Sequence, residues 1–196
     1  MRLPAILVFV TLALRGQSLA PIIDNEQVVV VKSLVRSGPG TSSPADRDRV
    51  LILLPSGAAQ WMPAGENPPA GAGAGRISAV VTVTLKKPAD PSKSATGPLD
   101  PTRLDPQHYR VEFENAEVRV IRAKIGAGES APFHEHKLNR VGVYLTDQNF
   151  RVTSEDGQTS TAQHRPGDVG WSGPARHSEQ NLGDKPFEIV VVELKN

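Results

Sequence analysis

The chain has 196 residues with 22 Lys and Arg against 21 Asp and Glu, a formal charge of +1 that offers no basic stripe for nucleic acid. It contains no cysteine, which excludes a disulfide framework, a cysteine-linked lipid anchor and thiolate metal sites. Its 17 glycines and 17 prolines favour short strands and turns over long helices.

At the N-terminus, Met1-Arg2 is followed by an apolar run from Leu3 to Leu14 and by Ser18-Leu19-Ala20, a small-x-small pattern ahead of Pro21. This is the pattern of a secretory signal peptide over residues 1–20. The apolar run falls short of the roughly 20 residues that cross a bilayer as a helix, and no later run is longer. The expected mature protein is therefore exported, periplasmic or secreted, with no membrane span. Losing Arg2 and Arg15 with the signal lowers the formal charge from +1 to −1.

The remaining apolar runs are short and rich in valine: Gln27 to Val31, Val50 to Leu54, Ile77 to Leu85, Val118 to Ile121, Arg140 to Leu145 and Glu188 to Leu194. Gly, Pro, Asn and Asp clusters bound them, so the chain reads as all-β, a sandwich or barrel. The two halves repeat one order of features. Asn25 to Lys32 parallels Asn115 to Arg122, and each is followed by a Gly-x-Gly, Gly38-Pro39-Gly40 and Gly126-Ala127-Gly128, and by a proline, Pro44 and Pro132. Arg49-Val50-Leu51 then parallels Arg140-Val141-Gly142, Trp61 parallels Trp171, and each half closes on a valine-rich strand ending in Leu-Lys. Ten residues lie between Val50 and Trp61 and 29 between Val141 and Trp171, so the first copy lacks the hairpin predicted over Phe150 to Val169 around Glu155-Asp156-Gly157-Gln158. The expected organisation is a signal over 1–20, a truncated β copy over 21–87 containing a flexible Pro68 to Gly75 loop, a linker over 88–106 and a complete barrel over 107–196.

Candidate chemistry lies in the second copy. His134-Glu135-His136 is expected to open a strand, where residues two apart share a face, so two imidazoles can meet one ion while Glu135 points away. His177 follows beyond the Pro166-Gly167-Asp168 turn and a strand around Trp171. The arrangement Gly128-x5-His134-x-His136 and Gly167-x9-His177-x3-Asn181 resembles the two sequence motifs of the cupin superfamily, convincingly over the last 90 residues or so and more weakly over residues 22–87. The resemblance implies a double-stranded β-helix, or jelly-roll barrel, with a reduced second copy. It further implies a divalent transition metal, Fe, Mn, Ni, Cu or Zn, held by His134, His136 and His177. Gly128 and Gly167 match the turn glycines of the family and Asn181 its closing asparagine. The family's glutamate ligand, however, is matched by Arg140 or Val141, and arginine cannot ligate a cation. Ser172 and Pro174 also depart from the residue types expected ahead of the last histidine.

Alternation along a strand places His177, Glu179 and Asn181 on one face, so Glu179 is a candidate ligand or general base. A three-histidine ion with open water positions is a second arrangement. A third is a metal-free barrel in which Arg140 and Glu179 pair and the histidines only hydrogen-bond. His164 and His108 are expected to face solvent; Asp46, Asp48 and Asn67, which stand in the first copy where the histidines stand in the second, are expected to form a solvated turn rather than a Ca²⁺ site; and Trp61 and Trp171 are expected at equivalent core positions. The functional expectation is a small-molecule-binding, metal-holding barrel. Its alternatives are a metal-dependent oxygenase or isomerase, and a metal-free structural or ligand-binding barrel. Valine-rich edge strands make a homodimer a further expectation.

Overall fold

The computed structural model describes residues 20–36, 45–66 and 77–196. Residues 1–19 of the expected signal, Gly38-Pro39-Gly40, Pro44, Asn67 and the Pro68 to Gly75 loop lie outside the described residues. No helix among the described residues is long and apolar enough to cross a membrane.

In the first half, β1 (Ile23–Asp24), β2 (Val28–Arg36), β3 (Arg49–Leu54), β4 (Ala58–Met62) and β5 (Ile77–Leu85) form one antiparallel sheet in the order β1-β2-β5-β3-β4. A one-turn helix α1 (Pro101–Leu104) follows. Next come β6 (Tyr109–Glu114), β7 (Val118–Ile125), β8 (Ser130–His136), β9 (Arg140–Tyr144), β10 (Gln148–Ser154), β11 (Thr159–His164), β12 (Val169–Ser172), β13 (Ala175–Asn181) and β14 (Phe187–Leu194). These nine strands make two antiparallel sheets, a five-stranded one in the order β12-β9-β14-β7-β6 and a four-stranded one in the order β11-β10-β13-β8, which enclose the barrel interior. The all-β jelly-roll expectation is met. The strands β4 and β6 were not anticipated, because neither carries a valine run.

The repeat holds at the level of individual residue pairs. Order β1-β2-β5-β3-β4 maps onto β6-β7-β14-β9-β12, and the registers coincide: Val50 pairs with Val83 as Val141 pairs with Val192, Val28 with Leu85 as Val118 with Leu194, and Trp61 with Val50 as Trp171 with Val141. Asn25 and Asn115 make the same turn, each side-chain oxygen accepting from the two backbone amides that lead into β2 and β7. Among the described residues the first half has no counterpart of the four-stranded sheet. That missing sheet is the one that carries the histidines.

The two equivalent sheets pack face to face. Val28, Val30, Val50, Ile52, Val81, Val83 and Leu85 of the first half join Val118, Val120, Val141, Val143, Val190, Val192 and Leu194 of the second in one buried cluster. The barrel's five-stranded sheet is thus covered on both faces, which is why β14 reads as a near-continuous valine run rather than an alternation. Successive side chains still divide between the faces. Val190, Val192 and Leu194 meet the first half, whereas Phe187 and Val191 join the cluster inside the barrel and Glu193 reaches the histidines. In β9 the same rule sends Val141 and Val143 outward and leaves Arg140, Gly142 and Tyr144 facing the interior.

Residues 88–106 pack against the barrel, with Ala95 and Asp100 buried. Asp100 caps α1 by accepting from the Thr102 amide and also forms a two-oxygen ion pair with Arg119 at 2.9 and 3.0 Å.

Candidate metal centre

Gly126 to Gly128 form the turn that starts β8, with Gly128 at φ +72°, a conformation that L side chains rarely adopt. Because extension begins directly after this turn, His134-Glu135-His136 closes β8 instead of opening a strand as expected. Alternation along the strand still sorts the three side chains. His134 and His136 are buried on the inner face, and Glu135 turns outward to pair with Arg176 at 2.9 Å. Antiparallel β13 places His177 directly opposite His134. Between His177 and Glu179 the β13–β8 register shifts, a bulge of the kind that re-aims side chains beside a site.

The three imidazoles converge. Ring centroids are 4.6 Å apart for His134 and His177, 5.1 Å for His134 and His136, and 5.6 Å for His136 and His177. One ligand-capable atom from each lies within 4.8 Å of the others. Two of the rings are held from behind. The Nδ1 of His134 is 2.8 Å from the Pro132 carbonyl oxygen, which can only accept, so Nδ1 carries the proton and Nε2 keeps its lone pair. The Nδ1 of His136 is 2.8 Å from Glu193 Oε1, and with Glu193 ionised this carboxylate–histidine pair fixes the same tautomer. Burial lowers the pKa of both rings, strongly for His136, where the positive charge of Arg140 adds to the effect. Both are therefore neutral near pH 7, the form that binds metals.

Two of the forward-facing nitrogens have no hydrogen-bond partner among the described residues. Nε2 of His134 and Nε2 of His177 are buried without a hydrogen bond. An unsatisfied buried polar atom costs about 1–3 kcal/mol, and three imidazoles are a suitable donor set for a divalent transition ion. The residues present fit such an ion.

A polar chain behind His136 was not foreseen. Glu193 lies 3.6 Å from Arg119 Nη1, and Arg119 is locked to Asp100; all three side chains are almost wholly buried. Burial pushes the Glu193 carboxyl up to about 7, against the pull of Arg119 and Arg140. A legible signal was present, since Arg119 and Glu193 are charges set within valine runs, but only the barrel reveals which face each occupies.

Glu179 stands beside the triad, as its alternation predicted. Its Oε2 accepts from the Tyr109 hydroxyl at 3.1 Å, and its Oε1 lies 3.3 Å from His177 Nε2 without hydrogen-bond alignment. Burial favours the neutral acid, yet His177, His134 and Tyr109 together hold its carboxyl below the ordinary carboxylate value. The expected alternative of an Arg140–Glu179 ion pair is not formed. Arg140 donates to the Gly173 carbonyl instead and pairs with no carboxylate among the described residues.

A cavity of about 290 Å³ opens in front of these groups, lined among others by His136, His177, Glu179, Arg140, Tyr144 and His164. His164 corrects another expectation: its ring stacks on Tyr144 with centroids 3.6 Å apart and faces the cavity, because it occupies the inward parity of β11. His108 is held between Asp105 and Glu129 and does not line the cavity. Asn181 is structural, its amide donating to the carbonyls of Ile125, Gly126 and Lys185. Asp48 accepts from the Ala64 amide in a turn and Asp46 is exposed. Trp61 packs on the joint core, and Trp171 holds the equivalent strand position with 36% exposure.

No family model matches the sequence, and no curated protein matches it. Solved structures do match. AerE from Microcystis aeruginosa aligns with a TM-score of 0.56 at 11% identity, covering 90% of this chain and 97% of its own. The Mn(II)-containing oxalate decarboxylase of Bacillus subtilis aligns with a TM-score of 0.53 at 14% identity, covering 87% of this chain and 69% of its own. A cupin domain from Bordetella pertussis shares 24% identity with a TM-score of 0.42, covering 45% of this chain and 92% of its own. At these identities the likeness concerns the fold alone: the antiparallel jelly-roll of this chain is the fold it shares with AerE and with oxalate decarboxylase, and it is the fold that the sequence resemblance implied.

Proposed function

We propose that this chain is an exported cupin-fold protein that holds a divalent transition metal on His134, His136 and His177 and binds a small molecule in the adjoining cavity. One observation carries the reading: three buried imidazoles converge, two are held from behind through Nδ1, and two present buried Nε2 atoms with no hydrogen-bond partner among the described residues. The signal-like segment over residues 1–20 supports export.

When bound, such an ion supplies Lewis acidity and activates water at neutral pH. The chain's own groups define what else the cavity does. Glu193 and Pro132 orient the two rings of β8, and Glu179, kept ionised and tethered by Tyr109, is placed to accept a proton beside His177. The walls of Phe150, Val152, Phe187, Ile189 and Val191 exclude water from the remainder of the space.

Elemental analysis by plasma mass spectrometry on protein purified without a histidine tag tests this reading. Near-stoichiometric Fe, Mn, Ni, Cu or Zn, lost in His134→Ala and in His177→Ala, is the expected result. Negligible metal in wild-type protein after reconstitution with each of these ions would refute it and leave a metal-free barrel.

A further inference from the structure

The residue that departs most from the family pattern is also the least accounted for in the cavity. Arg140 projects from β9 into the interior, directly across from Glu193 of β14. Cross-strand neighbours of opposite charge ordinarily pair, yet the Glu193 carboxylate is turned to His136 and lies near Arg119. Among the described residues Arg140 is left with a single acceptor, the Gly173 carbonyl. A guanidinium has five N–H donors and stays charged, so Arg140, which lines the cavity, keeps donors without a protein partner among the described residues.

The space beside it is shaped for something flat. Gly142 and Gly170 pair across β9 and β12 and contribute no side chain, whereas a Cβ at Gly142 would come within 3.0 Å of Ile189 and one at Gly170 within 3.4 Å of the Tyr144 hydroxyl. Arg140 and Ser172 stand at one end of this glycine floor. At the other, Tyr144 and His164 stack at an interplanar angle of 15°, with Phe150 at 5.9 Å from His164 and at 5.6 Å from Phe187. A volume of about 290 Å³ corresponds to roughly ten water volumes, which limits a ligand to about as many non-hydrogen atoms.

From this arrangement we infer that the cavity selects a small planar carboxylate, its anionic end bound by Arg140 and its flat body lying over Gly142 and Gly170 against the Tyr144–His164 wall. The inference rests on the reading of the cavity as the functional site and deepens it by naming the ligand class. It does not need the ion to be present, because the selecting charge belongs to the chain. A planar guanidinium pairs with a carboxylate through two parallel hydrogen bonds, which neutral isosteres cannot reproduce.

The test is calorimetric titration of metal-stripped protein with benzoate as the probe, and with benzamide as its neutral counterpart. Benzoate is expected to bind at least about tenfold more tightly than benzamide, and Arg140→Met, of similar volume, is expected to lose about tenfold or more in benzoate affinity. Gly170→Val keeps the charge but fills the floor and is expected to abolish benzoate binding. Circular dichroism and thermal unfolding establish that each variant is folded, and Arg140→Lys serves in its place should Arg140→Met not fold. Equal affinity for benzoate and benzamide, wild-type affinity in folded Arg140→Met or Arg140→Lys, or no benzoate binding by folded wild-type protein would each overturn the inference. Metal content measured on the same preparation before stripping separates the two readings. Arg140-dependent benzoate binding in a protein that takes up no metal upholds the carboxylate site and refutes the ion. Stoichiometric metal with no benzoate binding does the reverse.

Discussion

Glu193→Gln isolates the titration of one buried carboxyl. Burial raises Glu193 from an ordinary 4.5 to about 7 in the folded protein, and its side chain is only 1% exposed. Between about pH 4.5 and 7 the native state therefore holds a proton that the unfolded chain has released, and stability falls as pH rises through this window. Below it the group is neutral in both states and contributes nothing. Above it the full cost applies, which at 1.36 kcal/mol per pH unit is about 3 kcal/mol. Glutamine keeps an oxygen for the His136 Nδ1–H but does not titrate. Urea unfolding of metal-stripped wild-type and Glu193→Gln protein at pH 4.5 and pH 7.5 reads the effect directly. The stability difference between them should shift by about 3 kcal/mol in favour of the variant at the higher pH. Any constant penalty from removing a partner of Arg119 cancels in that comparison. A difference that is the same at both pH values would refute the assignment of a proton to Glu193 and with it the account of the polar chain behind His136. The histidines act in the opposite sense and are common to both proteins: His134 and His136 are depressed below 6.5, so the stability they contribute is present above that value and lost as pH falls.

Three further outcomes are expected. Glu193→Ala removes the group that orients His136 and should weaken metal binding by about 10- to 100-fold in a chelator competition titration, with unchanged affinity counting against an orienting role. Asp100→Asn leaves the Thr102 amide capped but strips the buried Arg119 guanidinium of its closest counter-charge; a loss of about 3–5 kcal/mol is expected in chemical denaturation. Ile52→Ala, in the core shared by the two halves, should cost about 2–5 kcal/mol and lower one common transition, whether followed at Trp61 or, in a Trp61→Phe background, at Trp171; separate transitions would show that the halves do not fold as one unit.

Much of this architecture was written in local patterns. Valine runs bounded by turn residues marked β2, β3, β5, β7, β9 and β14, because branched side chains suit a pleated, buried surface and Gly, Pro, Asn and Asp interrupt it. The repeat was equally legible, since paired features such as Asn25 with Asn115 and Trp61 with Trp171 need only be read in order. The His134-x-His136 spacing placed two imidazoles on one face without any knowledge of the partner strand.

What the sequence could not decide were matters of pairing between distant segments. Only the closing of the sheets set His177 opposite His134 and brought Glu193 behind His136, because strand register is a property of two segments and not of one. The same holds for Arg140. Its charge and inward parity are local facts, but whether it would neutralise Glu179 or stand free in the cavity depended on where Glu193, Arg119 and Gly173 came to rest around it. Strand type is set by neighbours in the chain, whereas the chemistry of a barrel interior is set by neighbours in space.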